Sequence, residues 1–190
     1  MDAYLEWQVR PDPEVLSPEV MSQAVQRLHG QLTRTAERRV GVSFPEHASS
    51  GFRRSLGARL RVHGPMTALE ALASGQWLGA ARDHLTGGVL HAVPAIVLGH
   101  RAVSRVQAKS NVERLRRRQM KRKGWTHEEA TAAIPDQARE TLALPYVELR
   151  SGSTAQSFPL FIRHGPVQSR PVSGEFGAYG LSPTTTVPWF

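Results

Sequence analysis

Leu5-Glu6-Trp7-Gln8-Val9-Arg10 alternates apolar with polar side chains, and after six intervening residues comes Ser17-Pro18-Glu19. The alternation has the period of a half-buried strand. Serine at the N-cap, proline at the first helical position and an acid at the positive dipole end then predict a helix start. The apolar stripe of that helix is Met21, Val25, Leu28 and Leu32. Moving outward, Val40 to Phe44 reads as a second strand and Leu60-Arg61-Val62-His63 as a third. Thr67-Ala68-Leu69-Glu70 is a capping box that begins a second helix, running through Leu72 and Trp77, and Val89 to Val93 is the last strand. The order βαββαβ predicts an α+β protein whose residues 1–97 form a ferredoxin-like domain, an antiparallel sheet backed by two helices. That architecture serves RNA-binding modules, enzymes and transport proteins alike, so it names no function.

The basic residues narrow the field. Arg101 to Lys123 holds ten Lys or Arg residues against one acid, Glu113, whereas the rest of the chain has 14 bases and 15 acids. The whole formal charge of +8 therefore sits in one short segment, the footprint of a polyanion-binding element. Ser110-Asn111-Val112-Glu113 is a further capping box and Gly124 stands where a helix C-cap is wanted, which predicts a basic helix over about 111–123. Arg114, Arg118 and Lys121/Arg122 fall on one face at helical spacing, and Arg117 and Lys121 on the adjacent stripe. Leu115 is nearly the only firm apolar anchor, so the helix is expected to project. Thr126-His127-Glu128-Glu129 caps a short helix ended by Pro135. Strands are expected at Tyr146 to Leu149, Phe158 to Ile162 and Phe176 to Leu181, with Val187-Pro188-Trp189-Phe190 docked as an apolar tail. Residues 98–190 thus read as a smaller α/β domain carrying the arginine-rich helix.

Several chemistries lack support. The chain has no cysteine, hence no disulfide framework or thiolate metal site. It has no GxGxxG and no Walker loop, and His127-Glu128-Glu129 does not continue to a second histidine. Asp2, Asp12, Asp83 and Asp136 are too scattered for a two-metal nuclease. The first residues lack a signal-peptide pattern and no apolar run approaches the roughly 20 residues that span a bilayer, so a cytoplasmic protein without membrane contact is expected. A nuclease with this composition would work without metal or other cofactor. Only RNA permits that, because its ribose 2′-OH can attack the adjacent phosphate once a base such as histidine removes the proton. Eight histidines compete for the role, and composition does not choose. His29, one position past Leu28, could point into a cleft or simply cap the edge of the core.

Over nearly its whole length the chain resembles the repeat-processing endoribonucleases of type I-F CRISPR systems. The likeness is carried by Arg10-Pro11-Asp12-Pro13-Glu14, Gly41-Val42-Ser43-Phe44-Pro45, the block Val103 to Asn111 and Glu113-Arg114-Leu115-Arg116-Arg117-Arg118. It resumes at Leu149-Arg150-Ser151, Phe161-Ile162-Arg163-His164-Gly165-Pro166, Tyr179-Gly180-Leu181-Ser182 and the terminal Val187-Pro188-Trp189-Phe190. The resemblance implies an enzyme that binds the hairpin of a CRISPR repeat RNA, cuts at the 3′ base of the stem and stays on the product with other subunits of the surveillance complex. It implies His29 as the catalytic histidine, Ser151 as the serine that positions the nucleophilic ribose, and Tyr179 as the tyrosine beside the histidine. Arg105 and Gln107 match the pair reading base edges at the foot of the stem. Arg117, Arg118, Lys121 and Arg122 match the cations along the phosphates, with Arg114 of the same helix also expected to bind RNA. Phe158 matches the aromatic under the closing base pair, and Ser153 and Thr154 the contacts around the cleaved nucleotide.

These roles are physically sensible. The A-form major groove is too deep and narrow for side chains except near a helix end, where arginines can enter. Stacking on Phe158 would sense the end of the stem, at about 1–3 kcal/mol per base. The chain also departs from the family pattern. Lys121 replaces an arginine and loses a bidentate phosphate fork, and Ser157 and Pro159 replace a histidine and an arginine beside the aromatic. Two other readings compete: a non-cleaving RNA-hairpin subunit, and a DNA-binding protein using the basic helix. His29, Ser151 and Tyr179 together favour cleavage over the first, and the lack of a helix-turn-helix pattern weighs against the second. Outside the resemblance, Arg116 and Lys123 read as solvated or secondary phosphate contacts.

Overall fold

A computed structural model describes residues 1–48, 54–107, 112–134, 144–152 and 154–190, with the backbone alone for 112–115. The fold is α+β, with two four-stranded antiparallel sheets. Two compact units are present, one formed by residues 1–106 with 144–190 and the other by 107–143.

The larger unit begins with β1 (Ala3–Val9), whose alternating burial matches its alternating sequence, and α1 (Ser17–Thr35). β2 (Gly41–Ser43), β3 (Arg59–Gly64), α2 (Met66–Ala73), a 3-10 stretch at Gln76–His84 and β4 (Leu85–Ala92) follow. These strands form a sheet in the order β2-β3-β1-β4. The second sheet is built from β5 (Gly99–Val106), β6 (Tyr146–Arg150), β7 (Ser157–His164) and β8 (Thr186–Trp189), in the order β6-β7-β5-β8. One half of β5 pairs with β8 and the other with β7. The apolar tail is therefore a strand, with Val187 buried.

One apolar core serves both sheets. It joins Leu5, Trp7, Leu60 and Val62 of the first to Val103, Val147, Leu160 and Ile162 of the second. α1 buries Val20, Met21, Ala24, Val25, Leu28 and Leu32, each large aliphatic side chain contributing about 1.5–3 kcal/mol. The sheets approach closely at Gly41, where a Cβ atom would lie 2.6 Å from Val187 Cγ1.

Local chemistry departs from expectation at several points. The N-cap of α1 is Leu16, with no side-chain bond, and Ser17 is already helical. Asp12 instead accepts the preceding turn's amides, from Glu14 at 2.8 Å and Val15 at 3.2 Å. α2 starts one residue before Thr67, behind Pro65, without a side-chain cap. It ends at Ala73, so Trp77 lies in the 3-10 stretch, its indole donating to the Leu72 carbonyl at 2.9 Å. Phe176 to Leu181 is not a strand but a turn closed by Gly180 N–H to Gly177 O and Gly177 N–H to Leu181 O. Gly180 has φ of 68°, which glycine adopts without the cost a Cβ imposes.

The smaller unit contains α3 (Val112–Lys123) and α4 (His127–Ala133). Gly124, with φ of 68°, donates its N–H to Met120 O and closes α3. The expected cap at Ser110 and Asn111 and the stop at Pro135 lie outside the described residues. Both bonds of the Thr126 capping box are present. α3 packs on α4 rather than projecting alone. Arg116 is buried, 5% exposed, and its guanidinium donates twice to the Ile134 carbonyl, at 2.7 and 3.0 Å. It satisfies the end of α4 and so is not the solvated cation expected. Among the described residues no helix is long and apolar enough to cross a membrane.

Candidate active site and nucleic-acid interface

The polar row of α1 beside its apolar stripe carries Ser22, Gln26, His29 and Thr33. This row faces β6, an edge strand whose outward amides need acceptors. The Glu148 N–H donates to Ser22 Oγ at 3.1 Å and the Arg150 N–H to Gln26 Oε1 at 2.8 Å. Four helical residues rise about 6 Å, which nearly matches two residues of strand at about 6.7 Å. The next turn of the same row holds His29, and the next outward residues of the strand lead into Ser151.

His29 Nδ1 lies 2.9 Å from the Ala178 carbonyl oxygen. A carbonyl only accepts, so Nδ1 carries a proton, and in the neutral imidazole the lone pair is then on Nε2, the tautomer a general base at Nε2 requires. The imidazole stacks on the Tyr179 ring with centroids 3.9 Å apart and planes inclined by 14°. Tyr179 is itself placed by the Gly177–Leu181 turn, which the Val42 N–H ties to β2 through Gly180 O at 2.8 Å. A Cβ on Gly180 would come within 2.5 Å of Val42 Cγ2, so the turn and the tyrosine are fixed together.

Ser151 opens the loop between β6 and β7. Its N–H donates to Gln156 O, its carbonyl accepts from Ala155 N–H, and its hydroxyl accepts from Thr154 N–H at 3.3 Å. Ala155, at φ of 55°, completes the tight turn. His29, Ser151, Phe158 and Tyr179 all line one open cleft of about 520 Å³, together with Gln26, Thr33, Arg34 and Arg150. Arg105, exposed at the end of β5, holds its guanidinium 5.7 Å from the Tyr179 ring centre and 5.9 Å from that of Phe158.

The sequence left eight histidines open, and the structure separates them. His63 is fully buried with Ser43 Oγ 2.8 Å from its Nε2, and burial, aided by the Arg61 charge, pushes its pKa down to about 3. His164 stacks on His47 with centroids 3.6 Å apart, and its Nε2 accepts the Phe44 N–H at 3.3 Å. Burial, then the neighbouring His47 and Arg101, hold His164 at about 2. Both are neutral packing groups. His84 pairs with Asp12, and His91 stacks on Tyr4. His29 alone among the eight lines the cleft with Ser151 and Tyr179.

Gln107, Arg117, Arg118, Lys121 and Arg122 belong to the smaller unit and are exposed there. Lys123 Nζ sits 4.4 Å from the centre of the Trp125 ring. The Arg114 side chain and Ser153 lie outside the described residues, and Thr154 is exposed. Among the described residues, no three His, Asp or Glu side chains come together as a metal-binding set. Sequence reasoning passed over Ser22, Gln26, Arg34 and Arg150. The signal available was the unbroken polar row at i, i+4, i+7 and i+11 of α1, which periodicity alone does not distinguish from a solvent-facing one.

The model of a family described as CRISPR-associated protein (Cas_Csy4) matches residues 4–190. A protein of Pseudomonas aeruginosa (strain UCBPP-PA14), described as CRISPR-associated endonuclease Cas6/Csy4, is 49% identical over 190 residues, covering all of both chains. A protein of Escherichia coli (strain UTI89 / UPEC) with the same description is 44% identical over 191 residues, again covering all of both.

Proposed function

The chain belongs to the Cas_Csy4 family of CRISPR-associated proteins, and from that premise we propose that it is an endoribonuclease of type I-F systems that cuts CRISPR repeat RNA at the 3′ base of its hairpin stem without metal. The observation that carries the reading is the single cleft shared by His29, Ser151, Phe158 and Tyr179, with the Ala178 carbonyl fixing the histidine tautomer. His29 Nε2 takes the proton of the ribose 2′-OH. The 2′ oxygen then bonds to the adjacent phosphorus, the bond to the 5′ oxygen breaks, and that oxygen takes a proton from solvent water as it leaves, while the proton held on His29 returns to solvent. The products are a 2′,3′-cyclic phosphate and a 5′-hydroxyl. Ser151 holds the ribose, and Tyr179 keeps the imidazole plane in place by stacking.

In this reading β1 to β4 with α1 and α2 form a ferredoxin-like half, supported by the strand order β2-β3-β1-β4. Arg114, Arg117, Arg118, Lys121 and Arg122 track stem phosphates, Arg105 and Gln107 read bases at the stem's foot, and Phe158 stacks under the last pair. Ser153 and Thr154 contact the cleaved nucleotide. The product stays bound and joins other subunits of the surveillance complex. The test is incubation with the chain's own repeat hairpin in excess EDTA. One cut with a cyclic phosphate end is expected, and a 2′-deoxy substitution before the scissile phosphate blocks cleavage while preserving binding. A strict Mg²⁺ requirement, or cleavage of the deoxy substrate, would overturn the mechanism.

A further inference from the structure

We propose that Ser22 and Gln26 are positioning residues for the cleavage reaction, a role that rests on the nuclease reading above. His29 is carried by α1 of the first half of the chain, and Ser151 by a loop of the second sheet. A base and a ribose-holding hydroxyl on separate elements need a fixed register, because a misplacement of about 1 Å can cost roughly 100-fold in rate.

The apolar face of α1 holds the helix on the core by close packing, but the hydrophobic contribution is non-directional and does not by itself select which strand residue meets which helix residue. The hydrogen bonds from β6 are directional. Glu148 N–H to Ser22 Oγ and Arg150 N–H to Gln26 Oε1 lie along one row of the helix and one edge of the strand, like two teeth of a rack. The Ser22 hydroxyl also donates to Pro18 O at 2.8 Å, so its single proton is committed within the helix and it meets the strand amide as an acceptor. Gln26 lines the cleft itself and holds the amide immediately before Ser151. Slippage of α1 along β6 would break both bonds and leave two edge amides without acceptors.

A structural clamp and a positioning clamp predict different readouts. Wild type, His29→Ala, Ser22→Ala, Ser22→Thr and the Ser22→Ala/Gln26→Met double variant would be compared on the chain's own repeat hairpin. The measurements are single-turnover rate at saturating RNA, Kd for the 2′-deoxy hairpin, and amide exchange at Glu148 and Arg150. Positioning predicts a rate about 10–100-fold lower in the double variant with Kd within about twofold, faster exchange at both amides, and a near-normal rate in Ser22→Thr, which keeps the hydroxyl. If the double variant does not fold, Ser22→Ala against Ser22→Thr carries the same comparison with a smaller loss. Wild-type rates despite faster exchange would overturn the proposal, as would a rate loss matched by a loss of affinity. An inactive wild type, equal to His29→Ala, would instead refute the nuclease reading, and the proposal with it.

Discussion

His29 donates Nδ1–H to a main-chain carbonyl and lies flat against Tyr179, so under the proposed function its replacement removes the base and leaves the cations of the basic helix in place. His29→Ala is expected to lower the cleavage rate by roughly 10²–10⁴ with hairpin affinity nearly unchanged, measured by single-turnover kinetics beside equilibrium binding. Arg105 makes a different prediction. It stands exposed beside Phe158 and Tyr179, with donors suited to a guanine edge. Arg105→Ala should cost about 1–3 kcal/mol of binding to the native stem and little to a stem altered at the bottom pair; equal losses on both stems would mean a phosphate contact instead. Periodicity brought His29 only to the edge of the core. Its meaning depends on Ala178, 149 positions away, and no local pattern carries that information.

At the scale of elements, most strands and helices were legible because their burial alternates with the right period, as in β1, or because a box of side chains caps them, as at Thr126. The misses have physical causes. Ser17 and Thr67 fit the capping pattern, yet Leu16 and Pro65 take the cap positions, since a serine or threonine only caps if the chain enters at the right angle. β5 escaped notice because its Arg101 and Arg105 read as part of the charged run, although Val103 between them is buried. Phe176 to Leu181 had the apolar content of a strand, but Gly177 and Gly180 turn it. α3 yields a prediction at this scale. Arg117, Arg118, Lys121 and Arg122 are exposed while Arg116 is committed to Ile134. Arg118→Ala or Arg122→Ala should weaken hairpin binding and flatten the slope of log K against log salt by somewhat under one per lost contact, with the saturated cleavage rate retained. Titration of binding between 50 and 200 mM salt checks this.

The molecule as a whole carries two histidines that fold in the neutral form, His63 held at about 3 and His164 at about 2 against an ordinary 6.5. The unfolded chain takes up protons at these sites below about pH 6.5, and the folded chain does so only near pH 2–3. Their contribution is therefore complete above pH 6.5 and is lost progressively as the pH falls toward 3. Thermal melts between pH 7 and 4 should show Tm decreasing, and His63→Gln should make that decrease shallower; an unchanged slope would mean that His63 is not charged on unfolding. Another whole-molecule property follows from β6. An edge strand with open amides is a template onto which a second chain can add a strand, the usual first step of sheet-mediated aggregation. Ser22 and Gln26 already occupy the Glu148 and Arg150 amides. The side chains of α1 thus take up two amides that strand addition would need, so the helix that bears His29 also guards this margin of the sheet.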